Sequence, residues 1–276
     1  MNEETIRIIH GNFFEEQKKL EAHSFDGIYC DPPFDLFQSA GQDWDVGIDW
    51  EKLGNIFHKL LKPDGQVVIW SDYKNMLKIS AAFPPKLCFR GYHVARRSSS
   101  SPSNKYTSLN NNDFIQIFYP AGTKVSELAW NPWDGLPPKH PYEKRNLSPE
   151  FNTRRQKKSE VNVNKSGKRW ITTVIDMKSK PNQCKLERSH SHVAAKEIAC
   201  LRMLMRIYSN VGDSLLIPFA GVGSELIAGF LENRMALGFE LNDQFYSEGV
   251  ERIKKYQAQG DLFQTAAPSG KVENSG

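Results

Sequence analysis

The chain has 276 residues, of which 39% are hydrophobic and 25% are charged, and it carries a formal net charge of +4. These values are typical of a globular protein with one large α/β domain and insertions, or with one domain and a small appendage. No run approaches the roughly 18 consecutive apolar residues of a membrane-spanning helix. The first ten residues also lack the basic and apolar pattern of a secretory signal. We therefore expect a cytoplasmic protein without membrane contact.

The cysteines lie far apart in the sequence and form no Cys-x-x-Cys pair. They are Cys30, Cys88, Cys184 and Cys200. This spacing predicts reduced thiols and gives no support to a zinc site. We expect no bound metal.

The first 119 residues alternate between strand and helix patterns. Strands are predicted at residues 5–9, 25–30, 66–70, 89–95 and 114–119. Helices are predicted, from apolar side chains at helical spacing, at residues 14–23, 50–61 and 73–82. A turn is predicted at residues 63–65, and the serine-rich residues 96–112 indicate an exposed loop. The strand at 25–30 must end at Pro32 and Pro33, because proline cannot continue a sheet ladder.

This alternation stops near residue 120 and resumes near residue 192. Residues 120–182 are rich in Pro, Asn, Lys and Ser. The elements predicted after them are a helix at 194–209, a strand at 214–217, a helix ending near 232, a strand at 235–239 and a helix at 244–257. Such alternation predicts an α/β fold with a mostly parallel sheet and helices on both faces. Residues 265–276 are expected to be disordered.

One candidate site is the glycine-containing turn at residues 218–224, between a predicted strand and a predicted helix. Glycine allows a sharp turn and close approach of a ligand, and a helix N-terminus offers free N–H groups. Glu240 ends the next strand, where a carboxylate can accept hydrogen bonds from ribose hydroxyls. This combination indicates a cofactor that contains adenosine. Close packing of helix against strand is the alternative explanation of the glycines.

The other candidate site is the tetrapeptide Asp31-Pro32-Pro33-Phe34. The amino group of a nucleobase is a poor nucleophile because its lone pair is delocalised into the ring. Asp31 and the Pro32 carbonyl can accept its hydrogens and so localise that lone pair, while the prolines keep the geometry rigid. Phe34 can stack on an extruded base. A simple strand-ending turn is the alternative.

In their order, these motifs resemble those of the DNA amino-methyltransferases, which make N6-methyladenine or N4-methylcytosine, in the permutation of the beta group. The resemblance runs from residue 8 to about residue 253. Besides the two candidate sites it rests on residues 11–13, residues 61–69, His192 with Lys196, and residues 208–213. It implies a Rossmann-like fold with S-adenosylmethionine as cofactor and Asp31, Pro32, Pro33 and Phe34 as catalytic residues.

The resemblance also assigns the cofactor contacts, with the early Asn12-Phe13 at the adenine, Glu240 at the ribose and His192-Lys196 at the methionine part. The full implied set is Asn12, Phe13, Asp31, His192, Lys196, Pro218, Phe219, Ala220, Gly221, Gly223, Ser224, Glu240, Leu241 and Asn242. The chain departs from the family pattern where Asn12 and Ile217 replace aspartates and Val222 replaces a serine. Val193 and Glu197 likewise replace prolines. These departures motivate the alternative of a catalytically silent DNA-binding module.

Residues 139–190 contain fourteen lysines and arginines against five acids, a net charge of +9, which leaves −5 for the rest of the chain. A basic segment on an acidic body indicates a polyanionic partner, although a solvated loop would have the same composition. The segment falls where the family places its target-recognition region. We therefore expect double-stranded DNA as partner, with contacts from Arg96, Arg97, Arg154, Arg155, Lys157, Lys158, Lys168 and Arg169. Trp130, Trp133 and Trp170 either fill a small core or stack on bases.

These predictions divide the chain into a catalytic half at 1–119, a target-recognition region at 120–190, a cofactor-binding half at 191–260 and a disordered tail at 261–276. The predicted activity is methyl transfer from S-adenosylmethionine to N6 of adenine in DNA, without a covalent enzyme intermediate. Adenine is preferred because an acidic first residue is more usual in the family's adenine enzymes. N4-cytosine, RNA and protein amides are alternative targets. A bacterial or phage-infected cell is the expected setting; a cognate restriction nuclease and a monomeric or homodimeric state are left open.

Overall fold

The computed structural model describes residues 5–33, 47–83, 85–101, 110–132, 171–180, 183, 187, 190–192 and 195–265. These residues form a mixed sheet of eight strands. The strands are β1 Ile6–His10, β2 Phe25–Cys30, β3 Leu61–Ser71, β4 Leu87–Ser101, β5 Asn110–Pro120, β6 Val174–Met177, β7 Ser214–Ile217 and β8 Met235–Glu240. The helices in the same ranges are α1 Phe13–Glu16, α2 Trp50–Leu60, α3 Tyr73–Ala82, α4 Ile198–Tyr208, α5 Ser224–Leu231 and α6 Asp243–Thr265.

The strand order is β1-β8-β7-β2-β3-β5-β4-β6. Every neighbouring pair is parallel except β3 with β5 and β5 with β4. Two antiparallel steps bring β4 back to the direction of β3. The carboxyl ends of β1, β2, β3, β4, β7 and β8 therefore lie along one edge of the sheet, as the prediction of a mostly parallel sheet requires.

Side chains of the central strands alternate between two hydrophobic cores, one on each face of the sheet. In β2, Ile28 and Cys30 pack on the face covered by α2 and α3, and Tyr29 packs on the face covered by α4 and α5. Burial of both faces explains why the central strands are nearly continuous apolar runs. The prediction of helices on both faces is confirmed.

Aspartate caps fix the starts of the two helices on the first face. The Asp49 carboxylate accepts from the backbone N–H of Lys52 at 3.0 Å, and the Asp72 carboxylate accepts from that of Asn75 at 2.8 Å. Such a cap satisfies a helix N–H that has no partner within the helix. Both helices begin within a residue of their predicted start.

The structure corrects five sequence predictions. Regular structure was expected to stop near residue 120 and resume near 192, but β6 lies within that segment and pairs with β4. The exposed loop at 96–112 is wrong at both ends, because β4 continues to residue 101 and β5 begins at residue 110; backbone pairing of the two strands satisfies these polar residues. The helix predicted at 14–23 ends early: α1 is followed by a 3-10 helix at Gln17–Lys19, and the N–H groups of His23 and Ser24 then donate to carbonyls at the end of α2. The turn at 63–65 is an irregularity within β3. Finally, α6 runs to residue 265, into the predicted tail.

Two further predictions concerned the cysteines and membrane contact. Cys30, Cys88 and Cys200 are free thiols, whereas Cys184 lies outside the described residues. None of the helices in the described ranges combines the length and apolar character needed to cross a bilayer.

Gly238 in β8 lies where the sheet packs closely against the loop that follows β7 and against α5. A Cβ at this position would lie 2.9 Å from Leu226 Cδ1 and 3.0 Å from Ala220 Cβ. We expect Gly238→Ala to lower the free energy of unfolding in urea by about 1–3 kcal/mol, because neither neighbour has room to move. Gly91→Ala is the matched control in β4, where the new methyl meets nothing within 4 Å. An equal loss of stability in both variants would contradict this account.

Candidate active site

A cavity of about 460 Å³ opens at the edge of the sheet where the parallel strands end. Its walls come from the chain segments that follow β1, β2, β7 and β8, and they include Asn12, Asp31, Phe219, Gly221, Glu225 and Glu240. Open α/β sheets place ligands at the carboxyl ends of their strands, because the loops there are free to vary. Asp31, Pro32 and Pro33 thus line the same cavity as the glycine loop and Glu240.

The glycine loop between β7 and α5 takes a backbone shape that other residues adopt only with strain. Gly221 has φ +50° and Gly223 has φ +78°. The N–H of Ala220 donates to the Phe239 carbonyl at 2.7 Å, which ties the loop to β8. A Cβ on Gly221 would also come within 3.5 Å of the His192 ring. The glycines therefore serve the turn itself and leave backbone exposed to the cavity.

Glu240 joins the glycine loop to the start of α6. One carboxylate oxygen accepts from the Gly221 N–H at 2.8 Å, and the other accepts from the Asn242 N–H at 2.7 Å. Burial raises the pKa of Glu240, while these backbone hydrogen bonds act to lower it. Each oxygen keeps a second lone pair, so the carboxylate can also accept hydrogen bonds from a ligand. The sequence predicted Glu240 as a site residue but did not indicate that its carboxylate links the glycine loop to the start of α6.

Asn12 and Phe13 lie after β1 and line the same cavity. The Asn12 side chain accepts from the Phe14 N–H at 2.9 Å and caps α1. Phe13 is 3% exposed, with its ring centroid 6.0 Å from that of Phe219 and 5.7 Å from that of Phe239. These three rings form an apolar wall on which a planar heterocycle can lie.

Asp31 directly follows β2 and is held by a buried lysine. Lys196 Nζ lies 2.8 Å and 2.7 Å from the two oxygens of the Asp31 carboxylate. The Asp31 side chain is 14% exposed and that of Lys196 is 5% exposed. The same ammonium group lies 5.2 Å from the centroid of the Trp70 ring. Lys196 was predicted to contact a cofactor; it lines the cavity and also holds the Asp31 carboxylate in one orientation.

The charges of this pair are set by burial and by neighbouring carboxylates. Burial raises the pKa of Asp31, and the adjacent Lys196 charge opposes that rise. Burial alone would lower the pKa of Lys196, but Asp31 and Asp113 outweigh it, and the net pKa is raised. Lys196 therefore stays protonated at neutral pH. A charged lysine against both oxygens favours the ionised form of Asp31.

His192 forms a neutral wall of the cavity beside the glycine loop. Burial, with the positive charge of Lys196, lowers the pKa of His192 to about 3. Its ring centroid lies 4.5 Å from that of Phe245 in α6. An uncharged imidazole in this position can share hydrogen bonds with a ligand without adding charge to the cavity.

The remaining predicted site residues line the cavity, cap α5 or lie outside the described residues. Those that also line the cavity are Pro32, Pro33, Pro218, Ala220, Ser224, Leu241 and Asn242, whereas Gly223 caps α5. Phe34 lies outside the described residues. Sequence reasoning missed Glu225, a carboxylate in the first turn of α5 that is 5% exposed and lines the cavity. An acid in the first turn of a helix is common, so the sequence alone gave it no distinction.

The predicted DNA contacts are described only at the end of β4. Arg96 Nε donates to Asp176 at 2.8 Å, and Arg97 donates to the Asn110 carbonyl at 3.1 Å and lies 3.7 Å from Asp113. Both arginines therefore have partners on neighbouring strands, at the same edge of the sheet as the cavity. The other predicted contacts, Arg154, Arg155, Lys157, Lys158, Lys168 and Arg169, lie outside the described residues.

Trp130 is the one tryptophan of the predicted set whose surroundings are described. Its ring centroid lies 5.6 Å from that of Tyr208, and the Arg90 guanidinium lies 5.0 Å from it. The side chain is 37% exposed. Trp130 thus packs in a half-open cluster near the end of α4. Trp133 and Trp170 lie outside the described ranges.

The cavity has the features that an adenosine-containing sulfonium cofactor requires. Its volume lies within the range of small-molecule sites. It offers an apolar aromatic wall, a carboxylate at the end of β8 for ribose hydroxyls, and two further carboxylates at Asp31 and Glu225 for positive charge. The residues present fit this class of cofactor even though Ile217 and Val222 depart from the family pattern.

Comparisons with known proteins point to the same class. A family model described as DNA methylase, for N6 and N4 methyltransferases, matches residues 25–251. The DNA adenine methyltransferase YhdJ of Escherichia coli strain K12 is 24% identical over 91% of this chain and 83% of its own length. The solved M1.HpyAVI-SAM complex superposes with a TM-score of 0.58 at 17% identity, covering 90% of this chain and 99% of that one. The PvuII DNA methyltransferase, described as cytosine-N4-specific, gives a TM-score of 0.58 at 13% identity, covering 94% and 93%.

Proposed function

Because the chain belongs to the DNA methylase family of N6-adenine and N4-cytosine methyltransferases, we propose that it methylates the exocyclic N6 of adenine in DNA. S-adenosylmethionine is the cofactor of this family. The observation that carries the proposal is the Asp31–Lys196 ion pair, whose two side chains line the same cavity as the glycine loop and Glu240. One cavity thus joins a site for an amino group to a site for a nucleoside.

The chain's own residues would act mainly by positioning. The Asp31 carboxylate and the Pro32 carbonyl would accept hydrogen bonds from the two N–H bonds of the amino group, which localises the nitrogen lone pair. The methylated nitrogen then loses its extra proton to the Asp31 carboxylate or to water. Lys196 holds the carboxylate in one orientation and keeps it ionised, so the acceptor is in place before the base arrives. When bound, the cofactor supplies an electrophilic sulfonium methyl group. No side chain needs to form a covalent bond to the base.

The other half of the cavity would hold the cofactor. Glu240 accepts hydrogen bonds from the ribose hydroxyls through the lone pairs that the backbone leaves free. The Phe13 and Phe219 rings cover the adenine and exclude water from it. His192, neutral at physiological pH, closes the cavity above Gly221.

Adenine is our choice over cytosine because the first residue of the tetrapeptide is an acid. The relative named as an adenine methyltransferase supports this choice, whereas the PvuII neighbour is described as cytosine-N4-specific. The two targets are distinguished by expressing the protein in a host that lacks DNA methylation and analysing the DNA nucleosides by mass spectrometry. We expect N6-methyladenine. N4-methylcytosine would overturn the adenine assignment, and unmodified DNA from a host that contains the soluble, folded protein would overturn the whole proposal.

A catalytically silent DNA-binding module is the competing function, motivated by Ile217 in place of an aspartate. Calorimetric titration with S-adenosylmethionine separates the two. We expect binding, because Asp31, Glu225 and Glu240 retain carboxylates in the cavity. Absence of binding with and without DNA would favour the silent module.

We also propose that residues 120–190 recognise the DNA target and that their basic side chains neutralise phosphates. Neutralising a phosphate releases counterions, so the affinity for duplex DNA should fall steeply with salt. Replacing Arg154, Arg155, Lys157 and Lys158 together by alanine should weaken binding. It should also make the negative slope of log K against log salt less steep, by up to about 3.6. Fluorescence anisotropy at several salt concentrations measures both effects. An unchanged slope would show that these side chains do not meet the backbone of DNA.

A further inference from the structure

Glu225 is a buried carboxylate in the cavity for which the proposed mechanism has no use. It lies in the first turn of α5, is 5% exposed, and lines the cavity together with Asp31 and Glu240. The ion pairs found within the described ranges do not include it. Lys196, which faces it, already contacts both oxygens of Asp31. The ammonium group of Lys196 is therefore engaged by Asp31, and Glu225 is a further carboxylate in the same cavity.

The sheet order places this carboxylate between the two ends of the site. β7 lies between β8 and β2, and the loop after β7 leads directly into α5. Glu240 ends β8 and would hold the ribose, whereas Asp31 follows β2 and would hold the amino group. A methyl donor that joins these two ends must carry its sulfur near the segment that follows the middle strand, where Glu225 lies.

We propose that Glu225 recognises the positive charge of the sulfonium centre and makes the cavity prefer S-adenosylmethionine over the product S-adenosylhomocysteine, whose sulfur is uncharged. This inference rests on the proposed function, because it takes that cofactor as the ligand. Glu225 would thereby supply a carboxylate just after the loop that follows β7, a strand whose last residue is Ile217 where the family has an aspartate. When the methyl group has left, the electron pair of the broken carbon–sulfur bond stays on sulfur. The charge that Glu225 attracts is then gone, which favours product release.

Charged groups from several elements surround Glu225. Asp31 faces it from the end of β2, Lys196 from the segment before α4, and Arg252 from α6. Arg252 also donates to the Val222 carbonyl at 2.5 Å and to Ser224 Oγ at 3.3 Å. Burial, followed by the charge of Asp31, raises the pKa of Glu225 to about 7, against the lowering by its own N–H, Lys196 and Arg252. A bound cation favours the ionised carboxylate, so binding at neutral pH should expel a proton.

Calorimetry with the full chain tests this directly. Both ligands are titrated at pH 6, 7 and 8, in buffers with different ionisation enthalpies. Because the two ligands differ only at sulfur, in its methyl group and its charge, the ratio of their affinities reports on contacts at that atom. For the wild type, we expect that ratio to rise about tenfold from pH 6 to pH 8, as Glu225 ionises. At pH 7, about half a proton should leave per sulfonium ligand bound.

Glu225→Gln keeps the shape of the side chain and removes its charge. At pH 8 it should lower the preference for the sulfonium ligand by about tenfold or more, and the ratio should no longer depend on pH. Glu225→Asp retains the charge and should retain most of the preference. Glu232→Gln is the matched control at the other end of α5, where the carboxylate pairs with Arg202 at 2.5 Å outside the cavity; its ratio should equal that of the wild type.

Equal weakening of both ligands by Glu225→Gln, or no weakening, would overturn this inference and leave the proposed function standing. A wild type that binds neither ligand would overturn both. Thermal unfolding of each variant separates a loss of charge recognition from a loss of folded protein.

Discussion

The Asp31→Ala variant is expected to transfer methyl groups to DNA at least roughly 10³-fold more slowly than the wild type, because it loses an acceptor that acts on the reacting nitrogen. Glu240 and the glycine loop are untouched, so binding of S-adenosylmethionine should change much less than kcat. Transfer of labelled methyl to duplex DNA measures the rate, and calorimetry measures the binding. Wild-type transfer by the folded variant would contradict the assignment of Asp31.

The stability of this variant needs its own control, because the substitution leaves Lys196 buried without its carboxylate. Breaking a buried ion pair on one side costs about 3–5 kcal/mol, whereas replacing both partners is often neutral. The double variant Asp31→Ala/Lys196→Met should therefore recover much of the lost stability while staying inactive. Urea unfolding and the labelled-methyl assay on the same preparations separate the chemical role of Asp31 from its structural one.

The parts of the site that sequence reasoning found are those that local chain geometry determines. The strand at 25–30 must stop at two prolines, and Asp31 consequently lies at the edge of the sheet. The strand at 214–217, the glycines after it and Glu240 at the end of the next strand form a continuous local pattern. Parallel pairing then brings the two sites together, because all these strands end at the same edge.

The parts that it missed depend on contacts between distant residues. Lys196 lies 165 positions from Asp31, and nothing in either segment indicates that the two side chains meet. The ends of β4 and β5 are polar, so their composition indicates a loop, and only the pairing of one strand with the other makes them a ladder. Glu225 has an ordinary position for a helix and becomes notable only through the cavity beside it. Local patterns set the elements, and tertiary packing sets their chemistry.

Lys196→Met should shift the pH dependence of catalysis as well as slow it. The lysine charge holds down the pKa of Asp31, which burial raises. Without that charge the pKa of Asp31 rises further. Since the amino group needs the ionised carboxylate, activity is lost as the pH falls through this pKa. The acid limb of the kcat profile should accordingly move to higher pH, and raising the pH should partly restore the rate.

Each of the two control variants changes a lysine that is paired with an aspartate. Lys196→Arg keeps the positive charge and should keep the wild-type acid limb. Lys62→Met removes the partner of Asp26, which lies 2.7 Å away at the opposite end of β2 and β3. Its profile should match the wild type, because that ion pair does not contact the cavity. A Lys196→Met profile that superimposes on the wild type would mean that Asp31 acts without its lysine, and the ion pair would then serve only the fold.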